Sequence, residues 1–554
     1  MRTTNFVLVH LPKRADSSES SKLVKTFVDV GNLLALVSVA DSQVLYGRRG
    51  TGKTHVLQYL AAKANERGDI GIYVDLRSAG STGGIYGDPA LPIAERGTRL
   101  LMDVMEAIHE NLADRCLEMR YDSDQDFDSA VRALNEFAAA ITEVRVVGDG
   151  EREVKKITTD ERVRSAEKRV DLGTAGGRIA FGSSDGTEQS DVTEMRTLER
   201  GTTHHRVHFG SVTRVLRKLL RAWANRRLWI LLDEWSVIPL DLQPLLADML
   251  RRALFPLAQV TVKIGAIAHR SRLQASTAAS YIGIELGADV STAVDLDALL
   301  MLQANAQTSR EFLSSLIYNH VEALLEEDHS PGHDAADWRQ ANEQAGRYLG
   351  KGPRAFQEVA FESANAFSEL GRAAQGVPRD ALNILSQAAS LAQDRRVSVQ
   401  DVRNAGRSHY HLDKERAIEA NPSALALLRW IVDEVVGHRR VRGFLIQEGQ
   451  GPLHALVEDL YDSRVLHIAR RGLAMADGPG ARFTLYALDY GCYAGVEVKL
   501  KGLLQAADGS FVEDPPGDYR EMSNAVLDLQ HYGYSAREPA RRQLRRPRRP
   551  RRDS

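Results

Sequence analysis

Apolar residues recur at helical spacing over 22–40, at Leu23, Phe27, Val28, Leu33, Leu34, Leu36 and Val37. A short apolar run, Gln43-Val44-Leu45-Tyr46, predicts a strand. A glycine loop follows, and then a helical pattern over 53–65 with Val56, Leu57 and Leu60 on one face. The run Ile70-Gly71-Ile72-Tyr73-Val74-Asp75-Leu76 predicts a second strand, and 99–119 a further helix. This alternation of strand and helix predicts a parallel α/β sheet.

From about 121 to 209 the rhythm breaks, and 143–207 is rich in Gly, Thr, Glu, Arg and Asp. Its composition predicts a solvated, partly disordered insertion, with a small ordered hairpin subdomain as the alternative. Order resumes with a helix near 212–225. Leu228-Trp229-Ile230-Leu231-Leu232 is apolar throughout, as a buried central strand requires. A helix over 242–254 and a strand over 260–267 follow. Residues 298–404 read as mostly helical, and 421–499 as a separate module. These boundaries divide the chain into an α/β core at 20–300, a helical region at 301–410, a module at 421–500 and a tail at 536–554.

The chain has 554 residues, enough for three or four domains, and its 43% hydrophobic and 26% charged content is that of a globular protein. No apolar run reaches the eighteen residues a spanning helix needs, so no membrane partner is expected. Residues 1–14 lack the pattern of a signal peptide. Cys116 and Cys492 alone cannot build a disulfide framework or a four-cysteine zinc site, and a reducing cytoplasm is the expected setting. The net charge of −2 conceals an asymmetry: 537–554 carries nine arginines against Glu538 and Asp553. A globally basic nucleic-acid binder is excluded, but a local basic arm is not.

The most specific chemical signal is Gly47-Arg48-Arg49-Gly50-Thr51-Gly52-Lys53-Thr54, which fits G-x-x-x-x-G-K-[ST] between an apolar strand and an amphipathic helix. Glycines let such a loop turn its N–H groups toward phosphates, and the helix N-terminus adds partial positive charge. This loop and the following His55 would hold ATP. Lys53 would reach the β- and γ-phosphates, and the Thr54 hydroxyl would ligate Mg²⁺. The second signal is Leu231-Leu232-Asp233-Glu234 at the end of the apolar strand. Asp233 there suits the Mg²⁺ shell, and Glu234 suits polarisation of an attacking water, which points to hydrolysis.

Together these motifs resemble the Walker A and Walker B motifs of the AAA+ ATPases, over roughly 20–410 outside the insertion. The segment Gly376-Val377-Pro378-Arg379-Asp380-Ala381-Leu382-Asn383-Ile384-Leu385 resembles the lid pattern G-x-x-R-x-A-L-x-I-L of the origin-recognition, initiator-like branch. The resemblance implies that Arg379 is the second sensor, reaching the γ-phosphate from the lid. It also implies a polar sensor at the end of the 260–267 strand, between the two Walker motifs. His269 stands there, where the family usually has Asn, Ser or Thr. An arginine finger acting on a neighbouring subunit of a homo-oligomer would be Arg270 or Arg272. The implied fold class is α/β: a P-loop NTPase (AAA+) parallel-sheet core, an α-helical lid and a C-terminal winged-helix-like domain.

Helices at 423–436 and 453–461, followed by strands at 465–468 and 482–488, agree with a winged helix at 421–500. Its candidate DNA contacts are His438, Arg439, Arg440, Arg442, Arg464, Arg470, Arg471 and Arg482, which would neutralise phosphates. The arginine tail, Arg/Pro-rich and expected to be disordered, would either bind nucleic acid electrostatically or be an extension without function. The expected activity is a slow, Mg²⁺-dependent ATPase acting as a molecular switch on DNA or a DNA-associated complex. The alternatives are a STAND-type signalling or defence ATPase, and an ATP-gated adaptor whose winged helix docks a partner protein.

Overall fold

The computed structural model describes residues 1–13, 20–78, 91–121, 123–141, 144–155, 196–205, 207–276, 281–302, 306–326, 335–345, 349–474, 480–494 and 525–532. The arginine tail and most of the 143–207 stretch lie outside the described residues. The chain divides into two compact units, one of Met1–Leu36, Gly47–His55 and Asp295–Ser554, the other of Val37–Tyr46 and Val56–Val294.

The second unit is built on an open sheet. Its strands are β1 (Gln43–Tyr46), β2 (Ile70–Asp75), β5 (Leu228–Asp233), β6 (Val260–Ala266) and β9 (Thr292–Asp295). The order is β2-β5-β6-β1-β9, with β1, β2, β5 and β6 mutually parallel. Every residue of β5 and β6 is buried, which explains why most of them are apolar; Asp233, Thr261 and Lys263 are the polar ones. Lys263 Nζ donates to the carbonyls of Val39 and Asp41 at 2.9 and 2.8 Å, and burial lowers the ammonium to about 7. β6 lies between β5 and β1, so the strand expected between the two motif-bearing strands is in that position.

The rhythm does not break at 121, where the insertion was expected to begin. Asp124–Ile141 is a helix that buries Ala130, Ala133, Leu134, Phe137 and Ile141 in the core of this unit. Two of the five are alanines, so its apolar stripe is thin in the sequence. The segment that leaves the core begins after it. Its base is an antiparallel ribbon of β3 (Val144–Lys155) and β4 (Arg196–His205), which corresponds to the hairpin alternative. A small ribbon, β7 (Gln274–Ser276) with β8 (Tyr281–Gly283), completes the unit.

The first unit is helical, with a three-stranded antiparallel sheet near its end. Thr3–Val9 packs on Pro378–Ala392, and Asn5 Nδ2 donates to the carbonyls of Gln393 and Arg395 at 2.8 Å each. Ser363 caps Ala364–Ala374, and Ser398 with Asp401 forms a capping box on Val399–His409, the box expected from the sequence. Pro422–Val432 then leads to β10 (Gly443–Gln447), the helix Pro452–Asp462, β11 (Leu466–Ala474) and β12 (Arg482–Leu488), in the order β10-β12-β11. This is a winged-helix-like arrangement. One hydrophobic core runs from Leu8 through Leu385 and Leu428 to Leu488, so the helices before Pro422 and the winged-helix-like part after it share an interior. Among the described residues, no helix is long and apolar enough to cross a membrane.

Candidate functional site

The phosphate loop follows β1 directly and opens the helix Lys53–Glu66. Gly50 and Gly52 have φ of 88° and 95°, in the left-handed region that favours glycine. A Cβ on Gly52 would meet nothing within 4 Å, so the loop has open space there. Gly50 is crowded on its other side. A Cβ there would stand 3.1 Å from Arg379 Cβ and from Val377 Cγ1, and the Arg379 N–H donates to the Gly50 carbonyl at 3.3 Å. The start of the helix Pro378–Ala392, which carries the candidate second sensor, therefore rests on the loop.

Lys53 is buried, and its Nζ donates to the carbonyls of Gly47 and Arg48 at 2.7 and 3.0 Å. Thr51 Oγ1 donates to the Arg48 carbonyl at 2.8 Å. Thr54 is half-buried and Arg49 exposed. His55 turns its ring toward the helix Ser20–Thr26, with Nε2 2.7 Å from the Leu23 carbonyl, and burial lowers its pKa. Arg48 is 3% exposed. Its backbone N–H and its Nε each donate to Asp297 at 2.7 Å, and its guanidinium meets Nδ1 of His467 on β11.

In the sheet unit, Asp233 ends β5 with no exposed surface. Its Oδ1 accepts the Glu234 N–H at 2.8 Å, and its Oδ2 accepts the Tyr73 hydroxyl at 2.9 Å. Burial and the neighbouring carboxylate push the Tyr73 phenol upward, which keeps it a donor. Glu234 is half-buried at φ 57°, a left-handed conformation that costs a non-glycine residue about 1 kcal/mol. The fully buried Trp235 follows it. Ser236 Oγ then accepts the Ile267 N–H at 2.7 Å, tying this turn to the end of β6. There His269 lies half-buried on the turn Ala268–Arg270. The buried Gln243 holds the next stretch, donating to the Arg270 carbonyl at 3.1 Å and accepting the Arg272 N–H at 2.6 Å.

Sequence reasoning did not find Tyr73, Ser236, Gln243, Asp297 or His467. Tyr73 alone had a signal: it lies on the strand paired with β5, opposite Leu231. The others depend on tertiary placement that no local pattern encodes.

Beside the loop lies a buried group of charges. Lys414, 2% exposed, bridges Asp380 at 2.8 Å and Asp489 at 2.6 Å. Asp380 also faces His409 at 3.4 Å and Arg464 at 3.9 Å. Burial alone would raise both acids. Lys414 and their other partners overcome this, holding Asp380 well below the usual carboxylate range and Asp489 at about 2. His467 donates from Nε2 to Asp489 at 2.8 Å. Burial and the adjacent Arg48 lower His467 to about 4, and burial lowers His320, with Nδ1 2.8 Å from the Leu316 carbonyl, to about 4 as well.

These two histidines fix a pH dependence. An unfolded histidine takes its proton near pH 6.5, and the native ones do not until about 4. Between these values the unfolded state binds more protons, so stability falls as pH falls. Lowering the pH from 7.5 to 5 should reduce the denaturant midpoint, with uptake of up to about two protons on unfolding. The depressed carboxylates act in a separate window, losing their contribution only below about pH 4. A midpoint flat from pH 7 to 5 would contradict the neutral, buried placement of both rings.

Several candidate DNA-contacting arginines are engaged internally. Arg464 pairs with Asp413 at 2.6 Å, Arg439 with Glu434 at 3.1 Å, and Arg482 donates to the Gly472 carbonyl at 3.2 Å. Arg440, Arg470 and Arg471 are exposed.

Comparison with known proteins gives a sequence match and a weak structural one. The ORC-CDC6-like family model matches residues 11–76, which include the phosphate loop, β1 and β2. No curated protein matches the chain. A solved structure of the Aeropyrum pernix Orc1 protein in complex with DNA aligns at 14% identity and a TM-score of 0.27, over 90% of this chain and 96% of that one. The chain carries a phosphate-loop motif directly after a strand of a parallel α/β sheet, and it resembles the ORC-CDC6-like family over residues 11–76, the segment that holds that loop.

Proposed function

We propose that the protein is a slow, Mg²⁺-dependent AAA+ ATPase that works as a molecular switch. The observation that carries this reading is the loop Gly47–Thr54. Its two left-handed glycines, buried lysine and helix N-terminus make an anion cradle directly after a parallel strand. Phosphates would take Lys53 Nζ from the loop carbonyls it now meets. Thr54 and Asp233 offer the hard oxygen ligands that Mg²⁺ prefers, and Mg²⁺ would neutralise charge on the β- and γ-phosphates. Asp233 fits this role because it ends β5 and its carboxylate is held in place by the Glu234 N–H and the Tyr73 hydroxyl. Glu234 would accept the proton of the attacking water. His269 would act as the first sensor. Arg379, on a helix resting against the loop, would act as the second. Arg270 or Arg272 would serve a neighbouring copy in a homo-oligomer. Its two cysteines are free thiols, which agrees with the cytoplasmic setting of this reading.

The test is Glu234→Gln. The amide keeps the shape of the carboxylate but cannot take up a proton, so ATP binding should persist while turnover falls by about 100-fold or more. Normal turnover by this variant would remove Glu234 from the mechanism.

The winged-helix-like part would contact DNA phosphates through the exposed Arg440, Arg470 and Arg471, with the arginine tail adding to the attraction. The internal pairing of Arg439, Arg464 and Arg482 favours a second reading, in which this part docks a partner protein. Binding to duplex DNA that weakens steeply with salt would decide for the first; no binding at low salt would decide for the second.

A further inference from the structure

The second residue of the phosphate loop is committed to partners that phosphate binding does not require. Asp297 takes both the backbone N–H and the Nε of Arg48, and the guanidinium ends on His467, a residue of β11 and 1% exposed. From there the chain of contacts is continuous. His467 donates to Asp489, Asp489 and Asp380 share Lys414, and Asp380 is the residue after Arg379. The imidazole partners fix its tautomer: Nδ1 accepts from Arg48, and Nε2–H donates to Asp489. The group is balanced. Arg48 faces Asp297, Lys414 faces Asp380 and Asp489, and Arg464, whose nearer partner is Asp413, also faces Asp380, with His467 neutral between Arg48 and Asp489.

Balance in a buried group has a mechanical consequence. Opening either link of the neutral His467 leaves a buried hydrogen-bonding group without its partner, and opening the Lys414 links leaves a buried carboxylate without its cation, so the links stay closed together or rearrange together. The two ends of this chain differ in what they serve. One end is the peptide group of Arg48, whose carbonyl now holds Lys53 and Thr51. The other end is β11, an edge strand of the winged-helix-like sheet, with Asp489 just past the central strand β12.

We propose that His467 is a positioning residue for the phosphate loop: through Arg48 it joins the loop's conformation and the seating of β11 into one equilibrium, so that nucleotide on the loop tightens β11. The proposal rests on the nucleotide reading of the loop. A phosphate that draws Lys53 from the Arg48 carbonyl acts on the same residue that His467 holds. A ligand shifts an equilibrium by its differential interaction with the two states, and the coupling is reciprocal. Seating β11 should therefore also favour the nucleotide-binding form of the loop.

Hydrogen exchange on the full chain, with and without Mg²⁺-ATP, tests this. In the unaltered protein, Mg²⁺-ATP should slow exchange across Leu466–Ala474 by about five-fold or more. His467→Gln should still bind ATP but lose that slowing. Equilibrium binding of ATP, measured alongside, separates the two levels of the argument. If the unaltered protein binds ATP and β11 does not respond, or if His467→Gln keeps the full response, the proposal is overturned and the nucleotide reading stands. If the unaltered protein binds no ATP, both fall. Should His467→Gln exchange fast throughout the chain, Asp489→Asn replaces it with the same expectation. The response of the unaltered protein decides against the proposal, if absent, whatever the variants do.

Discussion

Lys414→Met is expected to destabilise the unit that contains it by about 3–5 kcal/mol at pH 7. The substitution removes the one cation shared by Asp380 and Asp489, which are 1% and 2% exposed. Methionine fills much of the volume, so the loss is electrostatic. Asp489 keeps His467 and Asp380 keeps Arg464 at 3.9 Å, but neither contact replaces a full charge at under 3 Å. Both carboxylates should then bind protons more readily. The penalty should shrink as the pH falls toward 5, because a protonated acid no longer needs the cation. Lys218→Met is the matched control. Its pair with Glu136 has the same kind of distance, 2.6 Å, but the two side chains are 51% and 48% exposed. That substitution should cost under about 1 kcal/mol. Denaturant unfolding of the two variants gives the comparison, and equal losses would contradict the buried charge group.

Lys53→Ala is expected to lower ATP affinity by about 100-fold or more. In the proposed complex the ammonium makes charge-assisted bonds to two phosphates, each worth about 1.5–3 kcal/mol. The fold should tolerate the change. In the free loop Lys53 bonds the Gly47 and Arg48 carbonyls, and Thr51 Oγ1 remains on the second of these. Equilibrium binding, with a thermal melt to check folding, measures both effects. An alanine variant that binds ATP as the parent does would remove Lys53 from the site.

Legibility differed by the kind of signal. The α/β core could be read because β5 and β6 are buried on both faces and therefore mostly apolar, with Asp233, Thr261 and Lys263 the polar positions. The phosphate loop could be read because its chemistry needs particular residues at fixed spacing. Helix Asp124–Ile141 was hidden by its alanines. β10 was hidden because four buried residues, Gly443–Ile446, are too few to show a period between Arg442 and Glu448. Thr3–Val9 is seven residues long and depends on Asn5 reaching the far end of a helix some 390 positions away. The grouping of Gly47–His55 with the helical unit was also beyond reach. It depends on Asp297, His467 and Arg379, which local periodicity cannot bring to the loop.

The central claim is that the loop Gly47–Thr54 holds ATP. Equilibrium binding of Mg²⁺-ATP to the full chain tests it most directly. The account predicts saturable binding at one site per chain with a dissociation constant below about 1 mM, lost in Lys53→Ala. No saturable ATP binding by a folded protein would contradict it, as would equal binding by the two proteins.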